Sequence, residues 1–230
     1  MFPSYKLYKS ITKTMNTFEW ESFLKRWSQA FIASKCQELD ALPPEVIEAG
    51  WLGYPGALEE QIHHAENRLG VSLPPSYREF LKVTNGWRQT TPFIYQLWST
   101  YEIEWLRVRH SDWIDTFIEQ QKRWEQRHLY MSVNGLSHSA KRFLIPDEIY
   151  FVYGEEQDCM DLRVEYLQTA LEISRKGDSA IYLLNPQVVT EEGEWEAWFF
   201  GDWLPGADRY RSFRDLMWAE YQNFLELNEA

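Results

Sequence analysis

No uncharged apolar run of about 18 residues, the minimum for a bilayer-spanning helix, occurs in this chain of 230 residues. The stretch from Met1 to Trp20 lacks both an apolar segment of signal-peptide length and a small-residue cleavage site, so a soluble, cytoplasmic protein is expected. Cysteine is nearly absent. Cys36 and Cys159 lie far apart and belong to no CxxC or Cys/His pattern, which leaves a disulfide framework or structural zinc site without support; both read as reduced, structural thiols. Positive charge is scarce as well: 23 Lys and Arg stand against 35 Asp and Glu, a formal net charge of −12. Direct binding to nucleic acid phosphates or an anionic membrane, which draws affinity from cations releasing counterions, is therefore not expected. The electrostatic complement of such a surface is a basic protein.

Apolar and aromatic residues are plentiful, at 44% and 17%, enough to build a substantial core despite the acidic balance. Trp20, Phe23, Leu24, Trp27 and Phe31 fall at helical spacing, with Asn16 or Thr17 placed to cap. Leu42-Pro43-Pro44 breaks the chain. Leu58, Ile62, Ala65 and Leu69 trace the apolar stripe of a helix that Gly70 can end, and Leu73-Pro74-Pro75 followed by Ser76 as cap starts a short helix ending at Asn85-Gly86. Residues 92–98 read as a strand. Residues 103–127 read as mostly helical, with Ile103, Leu106, Trp113, Ile114 and Phe117 inward. Further strands are predicted over 143–145, 149–153, 171–174, 181–184 and 194–200, the fourth stopped by Asn185-Pro186. Ser212 caps a last helix with Phe213, Leu216, Met217, Tyr221, Phe224 and Leu225 inward. Helices, then sheet, then helix is an α+β order.

Motifs for chemistry are few. His63 and His64 sit near Glu59, Glu60 and Glu66, but adjacent histidines point about 100° apart on a helix and no HExxH pair is present, so a solvated helix face is the better reading than a metal site. His110, His128 and His138 belong to no local nucleophile motif. Gly50-Trp51-Leu52-Gly53-Tyr54-Pro55-Gly56 is not a GxGxxG loop, and neither a nucleophile elbow nor a Walker-type phosphate loop occurs. No catalytic residue, metal ligand or cofactor is therefore assigned. The acidic clusters around Glu155-Glu156-Gln157-Asp158 and Glu191-Glu192-Gly193-Glu194 have three readings: solvated loops, acid–base pairs in a cleft, or a negative surface that recognises a basic partner. Of the 12 tryptophans most belong to the core, with one or two left for binding.

The run from Glu66 through Leu69-Gly70, Leu73-Pro74-Pro75 and Tyr77 to Asn85-Gly86 resembles the first signature of the SUKH superfamily. This superfamily joins the cell-wall assembly regulator and killer-toxin-resistance proteins to bacterial toxin-immunity proteins. A second set is similar to the family's strand-turn-strand and closing helix: Gly177-Asp178, Leu183-Leu184-Asn185-Pro186, Glu194-Trp195-Glu196-Ala197-Trp198, Trp203, Pro205-Gly206 and Ser212-Phe213. The two sets frame about residues 44–225. The resemblance implies a single α+β domain with helices packed on one mixed β-sheet. Residues 1–43 then form a leader and helical extension, and residues 44–230 the SUKH-like domain, enlarged by a helical insertion near 103–128.

The function implied is non-enzymatic: an immunity protein that occludes a cognate polymorphic toxin, a nuclease for example, stoichiometrically in the cytoplasm. The charge fits a basic toxin. The candidate contact residues are Glu155, Glu156, Asp158 and Asp161 in one loop, Glu191 and Glu192 in another, and Trp203. The alternative from the same resemblance is a regulatory or scaffold interaction module of the cell-wall or signalling type. A hydrolase would instead need Glu155, Asp158, Asp161 and a histidine to converge in one cleft.

Overall fold

All seven residues of the segment Trp195–Gly201 are buried. A strand whose side chains are hidden on both sides must lie in a sheet covered on both faces. A computed structural model describes residues 18–34, 42–133, 145–177, 180–201, 203–204 and 206–229. The strand Trp195–Gly201 is β6 of a five-stranded sheet with the order β2 (Glu104–Trp105), β3 (Leu171–Glu172), β5 (Ala180–Val189), β6 and β7 (Ala207–Tyr210). A second, two-stranded sheet joins β1 (Ile94–Leu97) to β4 (Ser174–Lys176).

The alternation of β5 and β6 sorts the core into two layers. Ala180, Tyr182 and Leu184 of β5, with Trp195, Ala197 and Phe199 of β6, meet helices α1 (Trp20–Ala33), α3 (Glu59–Leu69), α4 (Pro75–Val83) and α8 (Phe213–Glu229). Ile181, Leu183, Trp198 and Phe200 face the opposite side, onto Leu106 of α5 (Leu106–Arg109), Ile114 of α6 (Ser111–Val133) and Leu167 of a 3-10 turn (Val164–Thr169). Helix α2 (Pro44–Ala49) sets only Val46 into the first layer. Aromatics carry much of that layer: Trp20 stacks on Phe213 at 5.6 Å and meets Phe80 edge-on at 5.5 Å. The five inward residues expected of α1 are all buried in the same core as α4 and α8, so this helix contributes to the common core.

The α+β class is as expected, but every strand pair among the described residues is antiparallel rather than mixed. For β5, β6 and β7 the cause lies in the connections: they follow one another through short turns, whereas parallel neighbours need a crossover of about a dozen residues. Leu58 was expected inside a helix stripe; it precedes α3 as its cap and is 67% exposed. Residues 149–153, expected as a strand, contribute to α7 (Asp147–Tyr150) and its exit. There Pro146 at the cap and Asp147 and Glu148 in the first turn favour helix over the β propensity of the following residues. Strand β5 runs on through Pro186 to Val189, because the ladder is irregular between Asn185 and Val189 and does not call on the missing proline N–H. The region 103–127 begins with the short strand β2 before turning helical. The caps Asn16 and Thr17 and most of the predicted strand 143–145 lie outside the described residues.

Strand β7 escaped the sequence reading because it is short and half polar. Its outer edge is covered: the Cys159 carbonyl accepts the Ala207 N–H at 3.0 Å, and the Gln157 side chain accepts the Arg209 N–H at 2.8 Å. Gly206 permits this approach, since a Cβ there would stand 1.8 Å from the Cys159 oxygen.

Candidate functional site

The polar residues of the sequence motifs divide into those that hold the fold and those that remain at the surface. Glu194, in the turn before β6, accepts the Ser76 N–H at 2.9 Å on one oxygen and the Ser76 hydroxyl at 2.6 Å on the other. Ser76 was expected to cap α4 itself; instead Pro74 holds the cap position and a carboxylate 118 residues away supplies the acceptor at the helix N-terminus. Burial raises the Glu194 pKa, opposed by the two Ser76 bonds and the Arg214 charge. Glu66 ties α3 to the link before α4, accepting the Leu73 N–H at 2.8 Å and an Arg78 guanidinium N–H. Arg78 also pairs with Glu59, which holds Lys82 at 3.0 Å. His63 lies between Glu59 at 3.4 Å and Glu66 at 3.2 Å and is 61% exposed, on the solvated face expected for it. Among the described residues no group of His, Cys, Asp and Glu is arranged to hold a metal ion.

A second cluster lies inside the protein. Glu196 of β6 is 1% exposed and accepts hydrogen bonds from the Tyr150 hydroxyl at 2.7 Å, the Tyr153 hydroxyl at 2.8 Å, Asn185 Nδ2 at 3.0 Å and the Trp198 indole N–H at 2.7 Å. Arg209 of β7, fully buried, stands 3.6 Å from the same carboxylate, donates to the Tyr150 carbonyl and lies 4.3 Å above the Tyr150 ring. Burial, followed by the negative charge of Glu196, raises the pKa of both tyrosines. With so many donors the carboxylate is held in one geometry, which fastens α7 and the chain after it to the sheet. A third buried carboxylate, Glu220 of α8, accepts the Tyr182 hydroxyl and Asn223 Nδ2, while Tyr182 also contacts Thr90 Oγ1 at 3.0 Å.

The proposed contact residues occupy separate places. Glu155 and Glu156 are exposed on a 3-10 turn (Gly154–Glu156), and Asp158 follows, exposed, accepting the Met160 N–H at 2.9 Å. Asp161 closes the same loop but is only 5% exposed. Glu191 and Glu192 project from the β5–β6 turn. Trp203 is 49% exposed after the other end of β6 and rests on Phe93 at 5.9 Å and Phe199 at 6.0 Å. At about 3.3 Å per residue, β6 puts roughly 20 Å between its two ends. Glu191 and Glu192 therefore do not share a small site with Trp203.

Sequence reasoning missed an open cleft of about 330 Å³ lined by Tyr54, Pro55, Gly56, Gln61, Asn85, Gln96, Ser99 and Glu102. It forms where the loop before α3 runs along the end of α4: Leu81 O accepts the Ala57 N–H at 2.7 Å, Pro55 O accepts the Asn85 N–H at 3.1 Å, and Thr84 Oγ1 accepts the Tyr54 N–H at 2.8 Å. Gly56 must be glycine for this, as a Cβ would stand 2.0 Å from Lys82 O. Asn85-Gly86 reads in the sequence as a helix end and as the close of the first family signature; Gly86, at φ 105°, turns the chain while Asn85 Oδ1 accepts the Thr100 N–H at 2.8 Å.

The fold and these surfaces define an acidic α+β protein with interior carboxylates tied into its structure and further carboxylates presented on its loops. Residues 56–217, about 70% of the chain, match the SMI1 / KNR4 family (SUKH-1). The chain belongs to that family. No curated protein matches it in sequence. No helix among the described residues is long and apolar enough to cross a membrane.

Proposed function

We propose that this chain is a non-enzymatic immunity protein of the cytoplasm that neutralises a basic protein toxin by stoichiometric occlusion. The observation that carries this reading is the family match over 56–217, which supports an immunity or KNR4-like interaction module. The net charge of −12 supports a basic target. Glu155, Glu156, Asp158, Glu191 and Glu192 are exposed, so reversing them leaves the buried carboxylate network untouched. Their shared role is long-range: carboxylates on separate loops accelerate encounter with a cationic partner, while packing around an aromatic such as Trp203 slows dissociation. Asp161, being buried, contributes to the loop's shape rather than to its surface charge.

The test is co-expression with the toxic C-terminal region of a neighbouring secreted protein, with growth rescue as readout. With the purified pair, reversing the five exposed carboxylates to lysine should slow association at low salt by about tenfold or more and leave dissociation nearly unchanged. An unchanged association rate refutes the steering role. Recovery of several unrelated partners instead of one toxin favours the regulatory scaffold that the KNR4-like membership also supports.

A further inference from the structure

The cleft beside Asn85-Gly86 has a lining whose chemistry restricts its occupant. Its volume of about 330 Å³ is at the lower end of ligand-site sizes, roughly 300–1,000 Å³, yet its walls are polar where small-molecule sites are mostly apolar. Glu102 is the sole charged residue among those lining it. One Glu102 oxygen is engaged by the Ser99 N–H at 3.1 Å and the Ser99 hydroxyl at 2.6 Å, which leaves the other oxygen without a partner among the described residues. The nearby cations are committed to the protein itself. Arg88 donates to Leu52 O and Gly53 O, both at 2.8 Å, and lies 4.2 Å above the Tyr54 ring. Arg109 donates to Glu102 O and sits 5.2 Å from the Trp98 ring. Without a cation in the lining, an anionic occupant is disfavoured, and Arg88 already covers one of the two faces of the Tyr54 ring on which a sugar could stack.

Three amides line the same walls. Gln61 is held in place, its oxygen accepting the Leu58 N–H at 2.8 Å and its nitrogen donating to the Tyr101 hydroxyl at 3.2 Å. Asn85 has its oxygen engaged and its Nδ2 without a partner, and Gln96 has neither amide atom paired among the described residues. Free amides beside a fixed carboxylate match the N–H and C=O of a peptide carrying a cationic side chain. Tyr101 and Leu58, connected through Gln61 and 63% and 67% exposed, give apolar surface next to it. Exposed aromatic and aliphatic groups beside a charged acceptor suit the long hydrocarbon stem of arginine or lysine.

We propose that this cleft seats an extended segment of the protein partner, with one arginine or lysine side chain directed at Glu102 and its main chain held by Asn85 and Gln96. The proposal rests on the reading that the partner is a protein, and adds to it a specific contact away from the acidic loops. The experiment titrates the isotope-labelled full chain with acetyl-Gly-Arg-Gly-amide while following backbone and side-chain amide NMR signals. Parallel titrations use the citrulline analogue, arginine amide, and a neutral chitin trisaccharide. Saturable shifts centred on Gly56, Asn85, Gly86 and Gln96 are expected, with the citrulline peptide at least about fivefold weaker. Glu102→Gln keeps an acceptor for Ser99, and its retained amide dispersion reports an intact fold; it should bind the arginine and citrulline peptides equally. Absence of saturable shifts up to about 10 mM peptide overturns the proposal. Equal binding of the two peptides by the native chain does so too, as do arginine amide binding as tightly as the peptide, trisaccharide occupying the cleft in its place, and shifts centred on 155–158 or 191–192. A flat titration beside intact toxin rescue refutes the cleft alone, whereas a positive titration with no toxin partner refutes the immunity reading alone.

Discussion

Glu220 is 2% exposed, at the end of a hydrogen-bonded chain through Tyr182 to Thr90, and burial pushes its carboxyl up to about 7 from 4.5. The Tyr182 and Asn223 bonds pull the other way and are outweighed. A raised folded value means that folding takes up a proton between the two pKa values, so the associated stability is fully present below about 4.5 and is lost as pH rises through about 7. At about 1.4 kcal/mol per tenfold change, the full contribution is about 3 kcal/mol, of which about 2.5 kcal/mol disappears between about pH 5 and 8. Glu220→Gln stays neutral and can keep both partners, donating to the Tyr182 oxygen and accepting from Asn223. Urea unfolding followed by tryptophan fluorescence, run on both proteins across this range, isolates the contribution as a difference. The variant should gain about 2.5 kcal/mol relative to the native chain on going from about pH 5 to 8. Parallel pH profiles for the two proteins would refute the claim that a protonated Glu220 is part of the folded state.

Two further substitutions test the half-buried Glu194 and the buried Glu196. Glu194→Ala removes the acceptor for the Ser76 N–H and hydroxyl at the start of α4, and should cost about 1–2 kcal/mol in denaturant unfolding; a loss below about 0.3 kcal/mol shows that water replaces it without penalty. Arg209→Met leaves Glu196 buried without its counter-charge, and a loss of about 3–5 kcal/mol in the same assay is expected, against less than about 1 kcal/mol if the pair is solvated.

The helix faces were legible because each depends on neighbours three and four positions away. Trp20, Phe23, Leu24, Trp27 and Phe31, and most of the α8 stripe, are buried as their spacing requires. Leu58 marks the limit of that reasoning: it continues the apolar period of α3 but stands at its cap, where the chain has not yet wound. Residues 149–153 mark another, since Ile149, Tyr150, Phe151 and Val152 have the composition of a strand and helix-start signals from Pro146 to Glu148 prevail. The cleft had no signature of its own. Its lining comes from four stretches between residues 54 and 102 that meet only after α3 and α4 pack.

The sequence by itself determined the α+β class, the family through two separated motifs, and the acidic sign of the surface, because periodicity, turn residues and net charge are sums over local residues. The tertiary structure decided which carboxylates belong to that surface. Glu155 and Glu156 face solvent; Asp161 is buried; Glu194 caps a helix 118 residues away; Glu196 and Glu220 sit in the interior on tyrosine hydroxyls 46 and 38 residues distant. A glutamate carries the same charge along the chain wherever it stands. Whether that charge is solvated, paired or protonated depends on groups brought to it from distant segments, and those are known only once the chain is folded.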